Sequence, residues 1–331
     1  MIRGIHDGGL VCGVWLLALL TAGAQGGFTR KGTEKELRGK FPQVRPVSDQ
    51  LPAGVVAREQ IVYARVEGVD LALDIYQPPG AGPFPAVLIV HGGGWDSGDR
   101  EMERPLGRHL AALGYVAVPV DYRLGAAGRF PAALHDLKSA VRWVRARAVE
   151  YRIDPQRIAV VGGSAGGQLA ALLGASNGAA ALEGEVGEGS GSSAVQAVVD
   201  IDGLADFTEP EFVRQQAEDP SAPTRFLGGP FAERAEIWRL ASPLTHTGPR
   251  SAPTLFLNST ARSPVLPGRP AMAERLRALG IQAEIVVIPD TPHPFWLVHP
   301  WFDRTLAEID RFLRRQLSGG RAPVPSSENM P

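Results

Sequence analysis

Hydrophobic and polar positions follow two alternating patterns between about residues 58 and 317. Uninterrupted apolar runs such as Ala86–Val90 and Ile158–Val161 are typical of strands covered on both faces. Segments such as Phe302–Leu317 instead repeat apolar residues at helical spacing. Because strand-like and helix-like segments alternate along the chain, we predict an α/β fold with a mostly parallel central sheet and helices on both faces.

The pattern predicts eight strands and five main helices, with a long irregular stretch between about residues 202 and 250. The predicted strands cover Ile61–Val66, Leu71–Tyr76, Ala86–Val90, Tyr115–Val120, Ile158–Val161, Val195–Ile201, Leu255–Leu257 and Glu284–Ile288. The predicted helices cover Leu106–Leu113, Leu134–Val144, Ser164–Leu173, Met272–Leu279 and Phe302–Leu317.

The two ends of the chain differ from this middle part. Arg3 precedes the apolar run Leu10–Leu20, and Ala22-Gly23-Ala24 then supplies a small-x-small cleavage pattern. Residues 1–24 are therefore predicted to be a secretory signal peptide, which implies a secreted or periplasmic protein without stable membrane insertion after cleavage. An uncleaved anchor is the alternative. We expect a polar, irregular N-terminal arm over 25–57, a catalytic domain over 58–317 and a disordered tail over 318–331.

Composition narrows the classes of function. The 331 residues carry a formal net charge of −1, which argues against nucleic acid or anionic lipid as the main partner. The single cysteine, Cys12, lies in the predicted signal peptide. The mature protein would therefore have no disulfide, no cysteine metal site and no cysteine nucleophile. We predict no metal and no organic cofactor.

Ser164 is the candidate nucleophile. It lies in Gly-x-Ser-x-Gly, directly after a predicted strand and before a predicted helix, where a sharp turn presents a serine for attack. The Ala165 N–H at the helix start is a candidate oxyanion donor. A glycine-rich phosphate loop is the alternative, and the lack of a following lysine disfavours it.

Three glycines, 92–94, follow the predicted strand Ala86–Val90. Without Cβ atoms, their N–H groups can approach a ligand closely, so Gly93 and Gly94 are further candidate oxyanion donors. His91 is expected to hold this loop, and Trp95 either lines the substrate pocket or packs beneath it.

His293 is the candidate base because it follows a predicted strand at the sheet edge where parallel sheets place reactive groups. His246 and His299 are expected to be structural.

The segments HGGGW, DYRL at Asp121–Leu124 and GGSAGG, with a histidine loop near the end, resemble the α/β-hydrolase superfamily. Within it, the chain resembles acetylesterases and hormone-sensitive-lipase-like carboxylesterases over roughly residues 55–317. The segments IDG and DTPHPFWLVHPWF also resemble secreted esterases that occur with pectin-degrading systems. The resemblance implies an α/β-hydrolase fold and a Ser-His-acid mechanism.

The position of the triad acid departs from this family pattern. Relatives place it in the loop after the strand Leu255–Leu257, but this loop offers Arg262 and Ser263 where the acid is expected. Asp202 ends the preceding strand, which the family's strand order places beside the nucleophile strand about 4.8 Å away. We therefore predict Asp202 as the acid. Asp206 and Glu209 are the next candidates, Asp200 is expected deeper in the strand, and Asp290 is expected to shape its loop.

The leading hypothesis is a secreted serine esterase acting on acetyl or other short acyl esters, on a small molecule or a plant cell-wall polysaccharide. A serine peptidase of the prolyl-oligopeptidase type is an alternative, although the region before the domain is too short for a propeller. A non-catalytic binding protein is another, supported by the missing acid. Arg262 is a candidate substrate-binding residue for a uronate carboxylate; a solvated loop residue is the alternative. The sequence leaves the oligomeric state, the acyl group and the alcohol open.

Overall fold

The computed structural model describes residues 28–187, 191–217, 221–261 and 266–318. The predicted signal peptide (1–24) lies outside the described residues, as do Arg262 and residues 319–331 of the predicted tail. No helix in the described ranges is long and apolar enough to cross a membrane.

Strands and helices alternate along the described chain. The strands are β1 Arg45–Pro46, β2 Val56–Val66, β3 Val69–Gln77, β4 Phe84–Val90, β5 Val116–Val120, β6 Ile153–Gly163, β7 Ala197–Ile201, β8 Thr254–Ser259, β9 Ala283–Ile288 and β10 Val298–His299. The helices are α1 Arg30–Lys40, α2 Arg104–Ala112, α3 Ala132–Ala146, α4 Ala165–Ala175, α5 Pro210–Ala217, α6 Ala222–Phe226, α7 Phe231–Ala241, α8 Pro243–His246, α9 Arg269–Ala278 and α10 Phe302–Leu317. Short 3-10 helices cover Arg100–Glu103, Ala180–Leu182 and Phe295–Leu297.

The main sheet has eight strands in the order β2-β3-β5-β4-β6-β7-β8-β9. The β2–β3 and β3–β5 pairs are antiparallel, and all pairs from β5 to β9 are parallel. The predicted mostly parallel sheet is thus confirmed. The carboxyl ends of β4, β6, β7, β8 and β9 meet along one edge, where such sheets place reactive groups.

Each face of the sheet carries its own apolar layer, because successive side chains of a strand point to opposite faces. In β4, Val87 and Ile89 pack in the layer that includes residues of α2 and α10. Ala86, Leu88 and Val90 pack in the opposite layer, with residues of α3 and α4. These five side chains are buried, and burying a side chain of Leu or Ile size contributes about 1.5–3 kcal/mol. The predicted helices on both faces are confirmed.

The N-terminal arm is more ordered than expected. Thr29 caps α1 by accepting a hydrogen bond from the Gly32 N–H, and Leu37 on α1 is buried in the core. Strand β1 pairs with β10, which follows the predicted histidine loop. The expectation of an irregular arm was wrong because its few apolar residues, such as Val44 and Val47, find partners distant in the sequence.

The stretch between β7 and β8 also differs from the irregular segment we expected. It contains α5 to α8, and its aromatic side chains form a cluster with Trp95 from the glycine loop. Phe226 stacks on Trp95 with ring centroids 4.8 Å apart, and Phe207 lies 5.7 Å away. Trp238 meets Phe207 edge to face. These helices therefore cover the glycine loop beside the carboxyl edge of the sheet.

Candidate active site

Ser164 occupies a tight turn between β6 and α4. Its φ of +57° is a left-handed conformation that residues other than glycine rarely adopt. The flanking glycines make the turn possible, because a Cβ on Gly162 would overlap the Gly166 carbonyl and one on Gly166 would overlap the Val90 carbonyl. The turn leaves the serine side chain partly accessible at the start of a helix. The local structure is thus the strand–turn–helix that the sequence predicted.

His293 lies in the loop after β9 and reaches both other predicted triad residues. Its Nε2 is 3.0 Å from Ser164 Oγ, and its Nδ1 is 2.9 Å from Asp202 Oδ2. Both distances are within hydrogen-bond range, with Ser164 and Asp202 on opposite ring nitrogens. The structure therefore brings Ser164, His293 and Asp202 into one hydrogen-bonded chain.

Asp202 is the first residue after β7 and is held from two sides. Its Oδ1 accepts a hydrogen bond of 2.7 Å from the Ser259 N–H, while Oδ2 faces His293. The side chain is buried, and burial alone would raise the pKa of this carboxyl. The hydrogen bond with His293, the charges of His293 and Arg269 and the Ser259 N–H outweigh burial, so the pKa of Asp202 lies below its ordinary value. The carboxyl is therefore a carboxylate at neutral pH.

Hydrogen bonds donated by backbone N–H groups connect the turns at this edge. The Ser164 N–H donates to the Ile201 carbonyl at 2.7 Å, and the Asp202 N–H donates to the Leu257 carbonyl at 2.9 Å. The Thr260 N–H donates to Thr291 Oγ1 in the histidine loop at 3.0 Å. The relative positions of Ser164, Asp202 and the histidine loop are therefore held by backbone groups at the ends of the strands as well as by side-chain contacts.

The other acids considered from the sequence have different partners. Asp206 Oδ1 accepts hydrogen bonds from the N–H and hydroxyl of Thr208, and Glu209 accepts from the N–H of Phe212 in α5. Asp290 is exposed, with a φ of +55° in its turn. Among these candidates, Asp202 is the one hydrogen-bonded to His293.

Sequence reasoning missed a buried cation behind Asp202. Arg269 on α9 is fully buried and lies 2.7 Å from Asp200 Oδ1. It also donates to the Asp200 carbonyl at 2.6 Å and to the side chain of Asn258 at the end of β8. Burial raises the pKa of Asp200, and Arg269 partly offsets this effect. Arg269 thus ties the ends of β7 and β8 together beneath Asp202. The sequence showed only that Arg269 precedes Pro270 near the start of a helix, and this does not indicate a buried cation.

The glycine loop lies against the serine turn, since a Cβ on Gly92 would lie 3.2 Å from the Ser164 Cβ. Gly93 and Gly94 have positive φ angles of 117° and 62°, which favour glycine. Within the described part of the chain, their N–H groups donate to no acceptor. The Ala165 N–H is the first of α4, where helices leave N–H groups available.

His91 holds this loop, as expected, and does not reach Ser164. Its ring stacks on Tyr122 with centroids 4.4 Å apart, and its Nδ1 is 2.8 Å from the Gly92 carbonyl. The Tyr122 hydroxyl donates to the His91 carbonyl at 3.0 Å. Burial lowers the pKa of His91, so the ring is neutral at neutral pH.

Of the two predicted substrate-binding residues, Trp95 lies within the described part of the chain. Trp95 is buried in the aromatic cluster, and its indole N–H donates to Gln168 at 3.0 Å. This placement matches packing beneath a pocket, and its contact with substrate stays a prediction. Arg262 lies outside the described residues.

His246 contacts the Leu240 carbonyl at 2.7 Å and His299 lies 3.2 Å from Asp303, so both have local partners. The described chain contains no group of three or more His, Cys, Asp or Glu residues suited to a metal ion.

Curated relatives resemble this chain over its central part. Esterase LipC of Mycobacterium tuberculosis is 35% identical over 231 residues, which cover 65% of this chain and 54% of LipC. The chain spans about half the length of the curated relatives it matches first.

Solved structures extend the comparison to the fold. A thermophilic esterase of Thermogutta terrifontis with bound propionate matches with a TM-score of 0.65 and 30% identity, covering 82% of this chain and 97% of that one. The same esterase has also been solved phosphorylated by paraoxon. A truncated carbohydrate esterase from gut microbiota matches with a TM-score of 0.69 over 83% of this chain and all of that one, at 23% identity, which supports the fold alone.

These likenesses confirm the predicted α/β-hydrolase fold and the esterase-like family. The model of the BD-FAE family matches residues 73–269, which is more than half of the chain and includes the glycine loop, Ser164 and Asp202. The chain belongs to the BD-FAE family of α/β-hydrolases.

Proposed function

We propose that this protein is a serine esterase that hydrolyses carboxylic esters through a Ser164–His293–Asp202 triad. The observation that carries the proposal is the chain of two hydrogen bonds, 3.0 Å and 2.9 Å long, through the two ring nitrogens of His293. The named relatives, which include esterases and carboxylesterases, support the same reaction class.

In the acylation step, Ser164 Oγ attacks the ester carbonyl carbon while His293 Nε2 takes the hydroxyl proton. Asp202 accepts a hydrogen bond from Nδ1–H, holds the tautomer with an unprotonated Nε2 and stabilises the imidazolium that forms. The tetrahedral intermediate collapses when His293 returns the proton to the alcohol oxygen. The ester C–O bond breaks, the alcohol leaves, and an acyl group remains on Ser164.

Deacylation repeats these steps with water. His293 takes a proton from the water as its oxygen attacks the acyl carbon, then returns the proton to Ser164 Oγ as the acid leaves. The N–H groups of Gly93, Gly94 and Ala165 would receive the oxyanion in both steps. Removing one such donor typically costs about 100- to 1000-fold in kcat.

The alternative of a non-catalytic binding protein has lost its main support. That hypothesis depended on the missing acid after β8, whereas Asp202 lies within hydrogen-bond distance of His293. No specific observation in the described chain favours a peptidase over an esterase.

The test is hydrolysis of 4-nitrophenyl acetate by the wild type, Ser164→Ala and the exposed control Ser48→Ala. Loss of one triad member lowers kcat by several orders of magnitude, so Ser164→Ala should retain less than about one hundredth of the activity. Paraoxon should label the wild type and Ser48→Ala but not Ser164→Ala. Equal turnover by all three proteins would refute Ser164 as the nucleophile.

For the substrate, we propose acetyl or other short acyl esters, including short acyl groups on plant cell-wall polysaccharide. Support comes from the propionate bound to the Thermogutta terrifontis esterase. The experiment compares 4-nitrophenyl acetate, butyrate and octanoate, and follows acetate and methanol release from acetylated and methylated polysaccharides. A preference for octanoate and no release from any polysaccharide would contradict the proposal.

Two further proposals concern export and substrate charge. We propose that residues 1–24 direct export, so N-terminal sequencing of the exported protein should begin at Gln25.

We also propose that Arg262 pairs with a uronate carboxylate. Arg262→Ala should then raise KM for an acidic oligosaccharide ester and leave a neutral acetyl ester unchanged, and salt should weaken wild-type binding of the acidic substrate alone. Equal effects on both substrates would refute this role.

A further inference from the structure

Trp296 connects the histidine loop with the serine turn. It lies in the 3-10 helix three residues after His293, and its side chain is fully buried. Its ring meets the His293 ring edge to face, with centroids 5.2 Å apart and planes at 68°. A Cβ on Gly163 would overlap the same indole, so the ring also packs on the residue before Ser164. One side chain therefore contacts both groups whose separation sets proton transfer.

Glu103 in turn holds Trp296. The indole N–H of Trp296 donates to Glu103 Oε1 at 3.3 Å, and Glu103 is 2% exposed. The other carboxyl oxygen is buried and has no hydrogen-bond partner within the described residues. Burial raises the pKa of Glu103 to about 7, partly offset by the indole hydrogen bond. A buried acid of this kind costs stability, and such groups concentrate at functional sites.

No described cation neutralises Glu103. Arg100, on the same 3-10 helix, pairs with Asp74 and Asp121, and Arg104 at the start of α2 also pairs with Asp74. Across from this helix, the titratable group that Glu103 influences is Tyr122: burial and then the charge of Glu103 raise its pKa. Beyond these groups, the carboxyl contacts the site through Trp296, which lies against His293.

We propose that Glu103 and Trp296 are a positioning pair, in which the carboxyl fixes the indole and the indole fixes the His293 ring against Ser164. The proposal rests on the proposed esterase function. Reacting groups must be held within about 0.5 Å of productive geometry, and displacement by about 1 Å can cost about 100-fold in rate. Neither residue touches substrate in this role, so the effect should fall on kcat and not on KM.

The first test is Trp296→Phe, with Trp301→Phe as the matched control. Trp301 is a buried tryptophan of the same segment that packs edge to face on Phe41, away from Ser164. Trp296→Phe should lower kcat for 4-nitrophenyl acetate about tenfold and slow paraoxon labelling of Ser164 in parallel, with KM within twofold. Trp301→Phe should leave kcat and labelling unchanged. Thermal unfolding shows whether both variants remain folded.

The second test separates the hydrogen bond of Glu103 from its charge. Glu103→Gln keeps an acceptor of the same size for the indole, whereas Glu103→Leu removes it. Glu103→Leu should therefore lose about tenfold in kcat at every pH. Glu103→Gln should match the wild type at pH 6 and fall behind it severalfold at pH 8.5, because a carboxylate binds the indole more strongly than an amide.

The outcomes separate this proposal from the esterase assignment. An inactive wild type that paraoxon does not label would overturn both. An active wild type combined with kcat values within twofold for Trp296→Phe, Glu103→Gln and Glu103→Leu at pH 8.5 would overturn the positioning pair alone. Glu103→Gln replaces one carboxyl oxygen with an amide nitrogen and keeps the size of the side chain. It therefore tests the positioning pair even if Trp296→Phe or Glu103→Leu does not fold.

Discussion

Replacing Glu103 with Gln should change how the stability of the protein depends on pH. In the unfolded chain the carboxyl has its ordinary pKa of 4.5, and burial raises it to about 7 in the folded state. Below about pH 4.5 both states hold the proton, so the carboxyl has no effect on the pH dependence. Between these values the folded state binds more protons, and stability falls as pH rises. Above about pH 7 the full cost of the buried charge is present.

The size of this cost follows from the two pKa values. Their difference, at about 1.4 kcal/mol for each pKa unit, corresponds to about 3 kcal/mol of unfolding free energy. Glutamine has no charge at any pH and keeps the acceptor for the Trp296 indole. The free energy of unfolding of Glu103→Gln relative to the wild type should therefore rise by about 3 kcal/mol between pH 4.5 and pH 8.5.

Urea unfolding of both proteins across this pH range measures the difference directly. Glu236→Gln is the control, because its hydrogen bond from Arg239 lowers the pKa of this exposed carboxyl and the variant should not reproduce a gain at high pH. A constant difference between wild type and Glu103→Gln from pH 4.5 to 8.5 would show that Glu103 does not retain its proton in the folded state. The reasoning from burial would then be wrong.

Two further substitutions test the acid and its support. Asp202→Asn should lower kcat about 10⁴-fold, since an amide favours the wrong histidine tautomer, while Asp206→Asn should remain near wild type; the reverse result in steady-state kinetics would move the acid to Asp206. Arg269→Met should destabilise the protein by about 3–5 kcal/mol in urea unfolding, because it leaves Asp200 buried without its cation. Adding Asp200→Asn to that variant should recover part of the loss, and a strictly additive double variant would contradict the coupling.

Local patterns were sufficient to predict the sheet and the positions of its reactive turns. Apolar runs such as Ala86–Val90 are buried on both faces, and this requires no knowledge of distant contacts. The contact between Asp202 and His293 was predictable because the strand order implied by the family resemblance, together with strand spacing, limits where a carboxylate can meet the histidine loop. The catalytic role of these residues stays a prediction until the kinetics are measured.

Features that depend on distant partners were not predictable. Helix α1 has mostly polar residues, and its order depends on burying Leu37 and on β1 pairing with β10, more than 250 residues later. The Glu103–Trp296 contact joins positions 193 residues apart, and each residue alone fits an ordinary helix or loop. Arg269 has no local pattern that distinguishes a buried cation from a solvated one. These features depend on tertiary contacts, and the periodicity of a single sequence does not show which distant residues meet.

The neighbouring positions of β6 and β7 have a consequence for redesign of the proposed active site. Gly163 and Ile201 are paired in the ladder, and Ser164 and Asp202 each follow directly. The proposed nucleophile and acid therefore both follow paired strands in the middle of the sheet, and in this arrangement the acid does not come from the segment between β8 and α9. Residues 260–268, between β8 and α9, could be randomised in a library for new substrates while Ser164, His293 and Asp202 are kept. In relatives whose triad acid lies in this segment, the same library would inactivate most variants, because most of them would lack the acid.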